Sequence, residues 1–291
     1  MSTNTPNPLG SDDSVRAPRQ YGALVSRSRR SAVYADLHLH TTVSDGQLPP
    51  ERIPLAARRA GLRAVALTDH DRFHPDRPPV VRRAGVTVVH GIELRVDAGQ
   101  PVDLLGYGVR PTDALREEVE RLSADRIDRG RRIIACVEDR LDVELAVEPR
   151  PGLGRPHIAR AIAAHPDTGL DFQGAFDELI ADGRPCYVPR AVPDFDRGRR
   201  LLADACELVV LAHPLRYDDP TAALDRAPAL DGVELRYPYD NADLAPVRAV
   251  IQEHDLVATG GSDAHDDRLG TRGLTPREFR PVARRLGEVG D

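Results

Sequence analysis

Three features of this chain predict an α/β fold, an irregular seven-stranded (β/α) barrel with a helical cap insertion. Short apolar, β-branched runs alternate with helical patterns, the mark of a mostly parallel sheet covered by helices. Several of those runs end in His, Asp or Glu, and the carboxyl ends of parallel strands are where such barrels carry chemistry. At 291 residues the chain is long enough for one large core of this type.

Residues 1–31 are rich in Ser, Pro, Asn and Arg without apolar periodicity, which predicts a disordered N-terminal extension. The barrel is assigned to residues 32–110 and 191–287. Its first strand, Val33 to His40, ends in Asp36-Leu37-His38-Leu39-His40, followed by Ser44-Asp45-Gly46. Alternate residues of a strand point the same way, so His38 and His40 face one site. A helix over Pro50 to Ala60 opens at Pro49-Pro50-Glu51 and stops at Gly61. Strands follow at Ala64 to Thr68, leading into Asp69-His70-Asp71, at Val86 to Ile92, leading into Glu93, and at Val102 to Tyr107.

From residue 111 to 190 the alternation lapses. Leu115, Val119, Leu122, Ile127, Ile133, Ile134, Val137 and Leu141 recur at helical spacing, and shorter helical patterns cover His157 to Ala164 and Phe172 to Ala181. This stretch reads as a helical insertion capping the barrel mouth and bearing Arg155, His157 and Arg190. The strand pattern resumes at Leu208 to Ala212 before His213, at Gly232 to Leu235, and at Val257 to Gly260 before Gly261-Ser262-Asp263-Ala264-His265.

A formal net charge of -6 argues against a protein whose affinity comes from neutralising long nucleic-acid backbones. No apolar run approaches the ~18 residues of a membrane span. Cys136, Cys186 and Cys206 are odd in number and widely spaced, which suggests neither a disulfide framework nor a thiolate zinc site and points to a reducing cytoplasm. Imidazoles and carboxylates gathered at five strand ends read instead as a polynuclear metal site, since burying so many polar groups without compensation is costly.

Five stretches together resemble the PHP (polymerase and histidinol phosphatase) family of metal-dependent phosphoesterases: 36–46, Leu67-Thr68-Asp69-His70-Asp71, Gly91-Ile92-Glu93-Leu94, Leu211-Ala212-His213-Pro214 and 260–265. Within the insertion, Gly154-Arg155-Pro156-His157, Ala175-Phe176-Asp177 and Tyr187-Val188-Pro189-Arg190 are similar to the stand-alone members that cleave small nucleotide phosphates. The resemblance implies two or three divalent ions (Mn, Fe or Zn). His38, His40, Glu93 and Asp263 would hold one ion, Asp45, His70 and His265 another, and His213 would complete the remaining site. Where the family has a ligand His, this chain reads Val102-Asp103-Leu104-Leu105-Gly106, so Asp103 is the expected ligand there. Carboxylate oxygen is an accepted donor for such ions.

The implied activity is hydrolysis of a phosphate ester on a small metabolite, a nucleotide or nucleoside phosphate, by a metal-bridging hydroxide. Asp45, His213 and His265 are the catalytic candidates, and Arg155, His157 and Arg190 the substrate contacts, since guanidinium matches phosphate bidentately. The alternatives are a nuclease on short 5'-phosphorylated oligonucleotides, a cyclic sugar phosphate phosphodiesterase, an amidohydrolase-like C-N hydrolase and a non-catalytic metal-binding module. The expected partner is a small phosphorylated substrate, with neither membrane nor long nucleic acid.

Overall fold

The computed structural model describes residues 33–74, 77–238 and 243–287. The predicted N-terminal extension lies outside the described residues. The first strands and helix are β1 (Ala35–Leu39), α1 (Ile53–Arg59), β2 (Ala64–Leu67), β3 (Val80–Arg83), β4 (Val86–Asp97) and β5 (Pro101–Tyr107). The helices α2 (Asp113–Leu141), α3 (Arg155–Ala164) and α4 (Phe172–Ala175) follow, and α4 runs on into a π turn at Phe176–Ile180. The rest comprises α5 (Phe195–Ala205), β6 (Leu208–Leu211), α6 (Pro220–Leu224), β7 (Gly232–Arg236), α7 (Ala245–Glu253), β8 (Val257–Gly260) and α8 (Pro276–Leu286).

Seven strands form the barrel in the order β1-β2-β4-β5-β6-β7-β8, and β3, which sequence reading missed, pairs antiparallel with β4 outside that path. Neighbours are parallel except at β5, which runs against both β4 and β6. That reversal puts the start of β5, with Asp103, at the rim where the other strands end. The sheet approaches closure between β8 and β1, where Leu39 bridges Ala264 and the His40 N–H donates to the Ala264 carbonyl at 3.0 Å.

The strands form where buried aliphatic and small residues run unbroken, as in Leu208–Leu211, whose four residues are all buried. Helix ends carry their own caps: the Thr112 hydroxyl accepts from the Leu115 N–H, the Asp194 carboxylate from the Arg197 N–H, and Thr275 and Glu278 cap α8 reciprocally. Between β5 and α5, the helices α2, α3 and α4 pack on one another around Ile133, Val137, Leu153, Ile158, Ile162 and Leu179, a core separate from those of the barrel. Cys136 on α2 and Cys186 form a disulfide inside this insertion, which overturns the expectation of unpaired cysteines. The pair is 50 residues apart in the chain and becomes adjacent only through helix packing, so spacing carried no signal of it. Cys206 is a free thiol.

Candidate metal centre

The barrel interior collects the strand-end side chains into three groups, each with ligand atoms within 4.8 Å of one another: His38, His40 and Asp263; His40, Asp45, His70 and His265; and His38, Glu93 and His213. Ligands about 2.0–2.2 Å from a shared ion span such distances. His40 Nε2 stands 3.1 Å from Asp263 Oδ1 and 3.3 Å from Glu93 Oε2. His38 Nε2 is 3.3 Å from Glu93 Oε1, and His213 Nε2 is 3.2 Å from the same oxygen. Asp45 lies 3.4 Å from His265 and 3.8 Å from His70. Glu93 thus sits among all the groups, with His70 Nδ1 at 2.7 Å.

The set fits divalent cations. His38 Nε2, both ring nitrogens of His40, Asp45 Oδ1 and Glu93 Oε2 are buried without a hydrogen-bond partner, an arrangement too costly to persist uncompensated. Mixed imidazole and carboxylate donors suit zinc, manganese or iron.

Three buried acidic residues, of which sequence reading passed over Glu234, hold these side chains in place. Glu234, fully buried on β7 between Val233 and Leu235, lies 3.3 Å from His38 Nδ1 and accepts the His213 N–H at 2.9 Å. A carboxylate on Nδ1 leaves Nε2 free to ligate. The one available signal was an acidic residue between two apolar ones in a strand. Asp69 accepts from Thr41 and Ser44, backbone and hydroxyl alike, and pairs with His74, fixing the loop that carries Asp45. Asp36 accepts from the Ser262 N–H and hydroxyl, tying β1 to the segment bearing Asp263. His213 (φ 26°) and Asp263 (φ 48°) both occupy left-handed backbone, which non-glycine residues adopt at a cost and which here aims them inward.

The cluster polarises itself. Burial disfavours charge on His70, yet Glu93 and Asp45 outweigh it and raise His70 to about 9. The same contest raises His38 through Asp263, Glu93 and Glu234. Burial and the neighbouring His70 lower His40. Burial opposes ionisation of Asp45, but His265, His70 and His40 hold it well below the usual carboxylate range.

Asp103 lies outside the three groups. Both of its oxygens are taken by Arg95, through Nε at 2.8 Å and Nη2 at 2.6 Å. In the insertion, Arg190 and Arg126 converge on one oxygen of Asp71. Arg155 donates to the Ile180 carbonyl and lies over the Phe176 and Tyr187 rings. His157 accepts the Gly154 N–H through Nδ1, capping α3. The loop before α3 meets the site where Gly152 packs on the Ser44 carbonyl beside Asp45.

Comparison with known proteins agrees with this geometry. The PHP domain model matches residues 36–167. A 3',5'-nucleoside bisphosphate phosphatase of Chromobacterium violaceum is 29% identical over 86% of this chain and 95% of its own length. A phosphoribosyl 1,2-cyclic phosphate 1,2-diphosphodiesterase of Eggerthella lenta is 29% identical over 79% of this chain and 93% of its own. A 5'-3' exoribonuclease of Escherichia coli is 27% identical over 80% and 86% respectively. Among solved structures, a candidate metal-dependent phosphoesterase of Bifidobacterium adolescentis superposes with TM-score 0.72 at 24% identity, covering 88% of this chain and 98% of that one, which shows the shared fold. The strand-end motifs, the barrel that gathers them and these likenesses agree: residues 36–167 carry a PHP domain, and the chain is a metal-dependent phosphoesterase.

Proposed function

We propose that this phosphoesterase removes a phosphate from a small nucleotide or nucleoside phosphate that carries a second anionic group. The observation behind this reading is an excess of buried positive charge beside the metal centre. Arg126 and Arg190 share the single Asp71 carboxylate. Burial above all, and then the nearby Arg155 and Arg190, push Arg129 down to about 10, so these guanidiniums crowd a poorly hydrated region. A second phosphate relieves that crowding by pairing with Arg190 and Arg155, and guanidinium forks suit it. The helical insertion acts as the cap that presents these groups, with His157 at the start of α3 on the same side.

His38, His40, Glu93 and Asp263 would hold one divalent ion, and Asp45, His70 and His265 another. Bound ions of this kind neutralise phosphoryl oxygens and lower the pKa of water toward ~7. His265, at the rim with a side chain 38% exposed, holds Nδ1 3.0 Å from the Asp263 carbonyl, which leaves Nε2, 3.4 Å from Asp45, to face the ion. His213 orients Glu93 from the opposite side.

Phosphate release from nucleoside mono- and bisphosphates, short 5'-phosphorylated oligonucleotides and sugar phosphates, with Mn²⁺ or with chelator, tests the reading. Metal-dependent release from bisphosphates, lost in His38→Ala, is expected. Turnover confined to oligonucleotides or cyclic sugar phosphates would instead support the activities named for the Escherichia coli and Eggerthella lenta relatives.

No helix among the described residues is long and apolar enough to cross a membrane. The Cys136–Cys186 bridge is at odds with the reducing cytoplasm that the cysteine count suggested; thiol labelling in intact cells decides, a bridged pair placing the protein in an oxidising compartment and free thiols in the cytoplasm.

A further inference from the structure

We propose that Arg95 stands in for a third metal ion, so that the centre holds two divalent ions and one fixed guanidinium. The inference rests on the metal centre described above but not on the identity of its substrate.

Arg95 lies two residues beyond Glu93 on β4, so both side chains leave the strand on the same face. The β4–β5 register sets Arg95 opposite Asp103, and the guanidinium binds the carboxylate through two nitrogens at 2.8 and 2.6 Å. This bidentate fork uses both oxygens that would otherwise face an ion. Asp103 Oδ2 is also 3.8 Å from His213 Nε2, so the cation stands at the corner shared by Glu93, Asp103 and His213.

Neither partner is placed to turn away. The Asp103 N–H donates to the Tyr217 hydroxyl at 2.8 Å, that hydroxyl donates to the Ala212 carbonyl at 3.0 Å, and the Ala212 N–H donates to the Asp103 carbonyl at 3.0 Å. The Arg95 N–H is held by Asp71 Oδ1 at 3.2 Å. With Asp103 engaged, the corner offers an ion Glu93 and His213. His38 Nε2 completes that group, yet it also faces His40 and Asp263, and one imidazole nitrogen serves one ion. Two donors fall short of the three protein ligands that catalytic sites of this kind provide. A divalent ion at the corner would also lie close to the guanidinium and be repelled by it.

The test is metal stoichiometry of the full chain, measured by mass spectrometry after dialysis against graded free Mn²⁺. Two ions per chain are expected for the wild type, with any third at least about 100-fold weaker. The double variant Arg95→Gln/Asp103→His removes the cation, restores an imidazole and is expected to bind three. Three ions in the wild type at the free Mn²⁺ that fills the first two would overturn the proposal, as would a folded double variant that still binds two. The wild-type measurement decides even if the double variant does not fold. Because it reads bound metal, it stands apart from failure of the substrate assignment, which the phosphate-release panel detects.

Discussion

Replacing Gly261 with Ala tests whether the approach of β8 to β1 sets the metal geometry. A Cβ built on Gly261 would stand 2.3 Å from the His38 backbone nitrogen, 2.4 Å from its Cβ and 2.8 Å from its Cα. These atoms are backbone or tied to it, so no flexible side chain can yield. Reaching ordinary contact requires the two strands to separate by about 1 Å, and overpacking of this kind costs roughly 1–3 kcal/mol. Metal sites tolerate ligand displacements of only about 0.2 Å. His38 would be carried away from His40 and Asp263, and a displacement of about 1 Å at a reacting centre costs on the order of 100-fold in rate. Urea unfolding, bound Mn²⁺ and phosphate release should therefore all fall together. A Gly261→Ala variant with wild-type unfolding midpoint and metal content would refute the claim that glycine is required for strand approach.

Burial raises the Asp71 carboxyl, but Arg190 and Arg126 bring it down to about 2 from 3.8, a difference of about 2 kcal/mol. Because the folded value is depressed, this stabilisation is complete above pH 3.8 and is lost as the pH falls through 2. Asp71→Asn should thus lower stability by about 3 kcal/mol at pH 7, since it also strands buried guanidiniums, with the gap narrowing in acid urea titrations; a gap independent of pH would refute the assignment. His70, raised to about 9, must lose a proton to ligate, so metal uptake at pH 7 should release about one proton and weaken about tenfold per pH unit below that value. Calorimetry in buffers of different ionisation enthalpy would detect this, and no released proton would count against His70 as a ligand. Asp69→Ala removes the acceptor for Thr41 and Ser44, with an expected cost of roughly 3 kcal/mol, and should speed amide exchange in residues 41–46 while emptying the Asp45 group before the His38 group. Unchanged exchange there would show that the loop is held by other contacts.

Much of the candidate site was legible because its side chains are tied to strand ends. The spacing of His38 and His40 follows from strand alternation alone, and His70, Glu93, His213 and Asp263 each follow an apolar run. All seven barrel strands were readable for the same reason, whereas Val80–Arg83 was not, since its last two residues are exposed arginines that weaken the apolar signal. The π turn at Phe176–Ile180 sits inside a stretch whose periodicity reads simply as helix.

The sequence by itself determined the fold class, the barrel strands and the residue types that gather at the rim, because strand and helix periodicities and strand-end motifs are local properties. Tertiary structure alone decided which side chains meet. Asp103 reads as a ligand in the sequence, and only the β4–β5 register shows that Arg95 stands opposite it and engages both of its oxygens. Glu234 gains its role on His38 across 196 residues, Arg190 meets Asp71 across 119, and Cys136 meets Cys186 across 50. Such partners are chosen by how the barrel curves and how the insertion packs, and the pairwise energies that reward them exist only once distant segments share a low-dielectric interior.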